Sequence, residues 1–224
     1  MNIGPLRVLA VQHVDIEGVP GGLRHVEIYT MSGLVTLLWH GPTDAERVVL
    51  CLGGAMGGLL GPGTSLFHEV GTMLAAEGIG TIRVGYRVPN DLDACIGDAI
   101  AAAMLAEREG AERFVTVGHS FGGAVAVGAA LPPSPVAAAV HGVCTLATQS
   151  AGCERANGLQ GRPFLLIHGD RDEILPHWSS ELVREVAGCG EVELLPGAGH
   201  LLRENGAADV LRVRVPQWAL AVLG

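Results

Sequence analysis

Ser120 sits at the centre of Gly118-His119-Ser120-Phe121-Gly122. A serine hydroxyl is a weak nucleophile at neutral pH and attacks a carbonyl only when a neighbouring base takes its proton. The pattern G-x-S-x-G has a steric meaning when it joins a strand to a helix. The serine must take up a strained backbone so that its hydroxyl projects from the turn, and glycines two residues to either side leave room where strand and helix nearly collide. With 33 glycines in the chain, the five-residue pattern alone carries little weight. Its setting carries more: residues 114–117, Phe-Val-Thr-Val, read as a buried strand, and 121–130 as a helix of small residues stopped by Pro132-Pro133. The start of that helix adds positive potential where an oxyanion would form.

The base that such a serine needs is most simply a histidine, oriented by a carboxylate. After the apolar run 164–167 comes His168-Gly169-Asp170-Arg171-Asp172-Glu173. Two aspartates compete there. Asp172 lies deeper in the loop and is the preferred acid; Asp170, nearer the strand, is the alternative and reads as a turn cap. After the run 192–195 comes Pro196-Gly197-Ala198-Gly199-His200, a glycine-rich loop able to carry His200 back over the sheet. Ser120, Asp172 and His200 then stand in the order serine, acid, histidine.

An oxyanion needs two N–H donors. One is expected from Phe121, directly after the nucleophile. The other is expected from the loop after strand 48–52, Gly53-Gly54-Ala55-Met56-Gly57-Gly58, with Ala55 first choice and Met56 second. The same loop does not read as a nucleotide cradle: no G-x-G-x-x-G register fits, and a P-loop needs a lysine, which the chain lacks. Met56, Gln149 and Trp178 are candidate substrate contacts, from their places after the strands. His119 is the variable position of the turn, and His168 is read as support for the acid loop. No histidine pair has a zinc-binding spacing, so neither metal nor cofactor is expected.

These residues need a scaffold that gathers strand ends. Short apolar runs alternate with helix-type runs along the chain. Residues 26–30 and 34–39 read as a hairpin; 48–52, 81–86, 114–117, 164–167, 192–195 and part of 136–146 read as strands. Helices are expected over 65–77, 91–109 with Asp91 as N-cap, 121–130, near 177–187, and within 207–223, where Pro216 should kink or restart the last one. Such alternation predicts an α/β fold, a mostly parallel twisted sheet flanked by helices, with function gathered at the carboxyl ends of the strands.

Composition narrows the partners. The 224 residues suit one domain with a full core. The net charge is −9 and all 14 basic residues are arginine, so no basic surface for nucleic acid is expected. Five cysteines without a C-x-x-C pair fit a reducing compartment. No apolar run is long enough to span a bilayer, and no signal-peptide pattern opens the chain. A cytoplasmic protein acting on a small molecule, away from membranes, is the expectation.

Gly-His-Ser-Phe-Gly-Gly at 118–123, His-Gly-Asp-Arg-Asp at 168–172 and Gly-Ala-Gly-His at 197–200 together resemble the α/β-hydrolase superfamily over about residues 26–223. The likeness is greatest to small bacterial serine esterases and dienelactone-hydrolase-like members. The resemblance implies a triad of Ser120, Asp172 and His200, and hydrolysis of carboxylic esters of small or medium acyl groups. Thioesterase, peptidase and acyltransferase chemistry use the same triad, and a non-catalytic binding protein is a further alternative. Two departures stand out. Gly53-Gly54 replaces the His-Gly of many relatives, and dienelactone hydrolases proper carry cysteine where Ser120 stands. About seventeen residues separate the strands ending near Leu146 and starting near Phe164, too few for a helical cap, so an open or lightly covered cleft is expected.

Overall fold

The computed structural model describes residues 2–3 and 6–224. Ten strands run in the order β1 (Asn2–Ile3), β2 (Leu6–Ile16), β3 (Leu23–Thr30), β4 (Gly33–His40), β5 (Arg47–Leu52), β6 (Gly80–Gly85), β7 (Arg113–His119), β8 (Val140–Leu146), β9 (Phe164–Gly169) and β10 (Glu191–Leu195). Five α-helices join them: α1 (Pro62–Ala75), α2 (Leu92–Glu109), α3 (Phe121–Ala129), α4 (Trp178–Ala187) and α5 (Ala207–Leu223). Across the sheet the strands lie β1-β2-β3-β4-β6-β5-β7-β8-β9-β10. β2, β3, β4 and β6 pair antiparallel, whereas β6, β5, β7, β8, β9 and β10 form a parallel run.

From β5 the chain steps outward through α1 to β6, then returns through α2 to β7 on the other side of β5. Strand order reverses between β5 and β7, and a crevice opens at their carboxyl ends. Leu52 and Gly118 are paired there, so the loops after β5 and β7 start side by side.

Both faces of the parallel strands are covered, which is why these strands read as apolar without alternation. On one face α1 and α5 bury Leu66, Phe67, Leu74, Leu211 and Val215 against Val49, Val115 and Val117. On the other, α2, α3 and α4 bury Cys95, Ala99, Val125 and Val183 against Leu50, Phe114 and Leu166. Small residues do much of this packing, as the scarcity of aromatics requires. α2 begins as expected: Asp91 caps it by accepting the Ala94 N–H at 3.0 Å, and Gly110 ends it at φ 123°.

Three elements depart from the sequence reading. β2, an eleven-residue strand, was not expected. Its side chains from Leu9 onward are largely exposed, so they lack the buried alternation that marks a strand. α1 enters through a non-helical stretch at Gly63, Thr64 and Ser65 before its regular turns. α5 runs through Pro216 without ending. Leu211, Val215, Trp218 and Ala219 pack into the core on both sides of the proline, and this burial outweighs the single helical hydrogen bond that proline removes. Between β8 and β9 lies only a short 3-10 turn, Ala156–Leu159. The hairpin expected at 26–30 and 34–39 is β3 and β4.

Candidate active site

Ser120 takes φ 56° and ψ −121°, a left-handed conformation costly for a residue with a side chain. Surrounding contacts impose it. The Ser120 N–H donates to Leu146 O on β8 at 2.8 Å, and Gly123 N–H donates to Ser120 O at 3.0 Å. A methyl group on Gly118 would overlap Gly122 O, one on Gly122 would overlap the Leu52 and Gly53 carbonyls, and one on Gly123 would overlap Thr148 Oγ1. These glycines let α3 start almost in contact with β5, and the turn between β7 and α3 has no other way to pass.

His200 arrives from the far edge. The loop after β10 is tied to the loop after β9 by Arg171 N–H donating to Ala198 O at 3.0 Å and by Gly197 N–H donating to Asp170 Oδ1 at 2.6 Å. The His200 N–H is accepted by Glu173 Oε2 at 3.2 Å. Its ring then stands between two partners: Nε2 lies 3.0 Å from Ser120 Oγ, and Nδ1 lies 2.7 Å from Asp172 Oδ2. The second of the two competing aspartates therefore meets the histidine, while Asp170 caps the histidine's loop.

The Asp172 side chain is buried, yet its carboxyl stays ionised. Burial by itself raises its pKa, but the Leu175 N–H (2.7 Å), the His200 imidazole and the Ile174 N–H (2.8 Å) outweigh it and hold the carboxyl below the usual carboxylate range. His119, beside the serine, points its ring under the base: Nε2–H donates to His200 O at 3.1 Å. Burial pushes its pKa down to about 4, against the effect of that hydrogen bond, so this imidazole is neutral at pH 7.

A cavity of about 510 Å³ opens over Ser120 and His200. The loop from Gly53 to Gly61 forms one wall, and Ile174, Leu201 and Arg203 contribute the other. Within that loop Gly57 N–H donates to Gly54 O at 2.9 Å, closing a tight turn with Ala55 and Met56 at its tip. Gly54 runs beside the serine; a methyl group on it would sit 3.7 Å from Ser120 Cβ. Phe121, first residue of α3, has its N–H among those a helix start leaves without a partner in its own helix. Met56 lines the cavity and is 94% exposed at its rim. Gln149 turns its amide to Ala151 O at 2.8 Å, and Trp178 opens α4; neither lines the cavity. Leu60, Ile174 and Leu201, which the sequence reading passed over, do line it and are exposed. Ile174 and Leu201 are large apolar residues two positions from Asp172 and one from His200, but Leu175 and Leu202 beside them are large and apolar too, so the sequence does not mark which of each pair faces the cleft.

A second cavity, about 740 Å³, lies between α2 and the segment after α3, lined by Leu92, Ile96, Ile100, Met104 and Leu131 among others. It is larger, but none of the residues grouped at Ser120 lines it. Among the described residues no group of three or more His, Cys, Asp or Glu side chains is placed to hold a metal ion, and no helix is long and apolar enough to cross a membrane.

No protein-family model and no curated protein matches the chain. Solved structures do. A cold-adapted esterase from an Arctic intertidal metagenomic library superposes with a TM-score of 0.76 at 15% identity, covering 96% of this chain and 100% of that one. Dienelactone hydrolase from Anabaena variabilis gives 0.74 at 17% identity, over 96% and 99%. Est1E from Butyrivibrio proteoclasticus, with ferulic acid bound, gives 0.70 at 14% identity, over 88% and 98%. The chain has the α/β-hydrolase fold. On an α/β-hydrolase sheet the ends of β5 and β7 flank the crevice where strand order reverses, and Ser120 and the 53–61 loop stand there. Asp172 and His200 reach the same crevice from β9 and β10, two and three strands away from β7.

Proposed function

We propose that the protein is a serine hydrolase that cleaves carboxylic esters of small or medium acyl groups through an acyl-enzyme on Ser120, the chain acting as one domain. The observation that carries this reading is the continuous relay from Ser120 Oγ to His200 Nε2 (3.0 Å) and from His200 Nδ1 to Asp172 Oδ2 (2.7 Å). Ser120 attacks the ester carbonyl while His200 takes its proton. The developing oxyanion is held by the Phe121 and Ala55 N–H groups. His200, now cationic and steadied by ionised Asp172, gives the proton to the departing alcohol. Water, deprotonated by His200, then releases the acid and restores Ser120–H.

The apolar rim of Met56, Leu60, Ile174 and Leu201 supports an uncharged acyl or alcohol group lying across the cleft. The neighbours named as esterases support the ester linkage. The test is a panel of p-nitrophenyl esters of increasing acyl length, run beside a fluorophosphonate probe. Ser120→Ala should lose on the order of 10⁴-fold or more in kcat and all labelling, with His200→Ala nearly as severe. Near wild-type turnover in the Ser120 variant overturns the reading, and turnover of thioesters or amides but not esters moves it to another acyl chemistry.

A further inference from the structure

His168 is entirely buried at the end of β9, and its ring makes contacts on both sides. Nδ1 lies 2.7 Å from Ser180 Oγ on α4. Nε2 lies 3.1 Å from Asp172 Oδ2 and 3.1 Å from Leu175 O. A carbonyl oxygen and an ionised carboxylate can only accept, so the ring proton must be on Nε2. Nδ1 then presents a lone pair, which the Ser180 hydroxyl fills by donating. Burial, acting against the hydrogen bonds to Leu175 and Asp172, holds His168 below the usual imidazole range, which keeps it neutral.

Asp172 thus lies between two imidazoles. Its Oδ1 accepts two backbone N–H groups, and its Oδ2 accepts one N–H from His200 and one from His168. We propose that His168, locked by Ser180 as the neutral Nε2–H tautomer, is a positioning residue that fixes the Asp172 carboxylate and sets how strongly it supports the proton on His200. This rests on reading Ser120, His200 and Asp172 as the catalytic relay. The fourth hydrogen bond stops the carboxylate from turning about its bond. It also takes up part of the negative charge on the oxygen that faces His200, so the imidazolium formed during reaction is favoured less than a bare carboxylate would favour it. Among the described residues, the other ionisable groups near this cluster include His119 from the turn after β7, Glu173 from the loop after β9, Glu204 near the loop after β10, and Arg203, which lines the same cavity as His200. None of them contacts the Asp172 carboxylate in place of His168.

The experiment compares wild type with His168→Leu, His168→Gln and Ser180→Ala. His168→Leu removes the donor: kcat should fall about tenfold or more, as is usual when an outer partner of a reacting group is lost, with KM little changed. The acidic limb of kcat/KM should move to higher pH, because the less-shielded carboxylate favours charged His200. His168→Gln, whose amide N–H reaches the same place, should restore most of both. Ser180→Ala should shift the limb in the same direction as His168→Leu, by less. An unmoved limb in His168→Leu, or a Gln variant as impaired as the Leu variant, overturns the proposal and leaves His168 as packing. Ring nitrogen-15 NMR of the wild type gives a reading independent of turnover. The Nε2–H tautomer is expected from pH 5 to 8, and an Nδ1–H or doubly protonated ring overturns the proposal. Failure of the relay reading shows itself separately, as wild-type protein that the fluorophosphonate does not label at Ser120.

Discussion

Asp170 and Asp172 stand two residues apart in one loop and have different partners. Asp170 accepts the Gly197 N–H at 2.6 Å and holds the base loop in place from its exposed side. Asp172 is buried against His200. That difference gives a paired prediction. Asp172→Asn keeps the shape but lets the amide favour the wrong tautomer of His200, so kcat should drop on the order of 10⁴-fold. Asp170→Asn retains an oxygen acceptor for Gly197 and should leave kcat within a few-fold, with a stability change of about 1 kcal/mol or less. Steady-state kinetics on the two purified variants distinguishes them, and equal losses would contradict the assignment of the acid. The choice of Asp172 as proposed acid came from its depth in the loop, and it is Asp172, not Asp170, whose side chain meets His200. The contact of His168 with the same carboxylate was not legible in the sequence, because a histidine at a strand end has no marker for which way its ring turns.

At the scale of elements, the turn between β7 and α3 depends on how closely α3 approaches β5. A methyl group on Gly122 would meet the Leu52 and Gly53 carbonyls at once, and both are backbone atoms that cannot swing aside. Gly122→Ala should therefore push the start of α3 outward, cost about 1–3 kcal/mol of stability, and displace the Phe121 N–H proposed as an oxyanion donor. The measurement is a denaturation midpoint together with the rate of fluorophosphonate labelling, and unchanged values for both would show that the helix has slack. The glycine spacing of this turn could be read directly, since steric need leaves a mark in residue type. β2 and the passage of α5 through Pro216 could not be read. Leu9, Val14 and Ile16 are exposed on a strand that β1 pairs only at Leu6 and Arg7, so burial wrote no pattern there, and the proline is tolerated because the surfaces on either side of it are buried.

For the whole molecule, three buried imidazoles couple the fold to pH: His168, whose pKa burial lowers, and His40 and His119. His40 lies under α1, its ring against the backbone of Gly71, and among the described residues neither ring nitrogen has a hydrogen-bond partner. Burial first, then the charges of Arg83 and His68, lower its pKa to about 4. His119 is lowered to about 4, chiefly by burial. In the unfolded chain both would titrate near 6.5. Below that pH the unfolded state binds more protons than the folded one, so the stability is complete above pH 6.5 and is lost as pH falls toward 4. The expected loss is about 2 kcal/mol for each of His40 and His119 between pH 7 and 5. Urea midpoints across that range measure it, and His40→Phe should flatten part of the slope, with His119 and His168 carrying the rest.

Along the chain, residue type and spacing determined the local pattern: a serine between glycines, an aspartate loop, a histidine on glycines, and the alternation of strand and helix that orders them. These are short-range demands, set by sterics and hydrogen bonding within a few residues. Only the tertiary structure decided what Oδ2 of Asp172 touches, that Gln149 and Trp178 stay out of the cleft while Ile174 and Leu201 enter it, and that a largely exposed strand, β2, lies beside the hairpin. Those outcomes depend on which surfaces far apart in sequence are pressed together, and burial across the sheet leaves no mark at the positions where it is about to act.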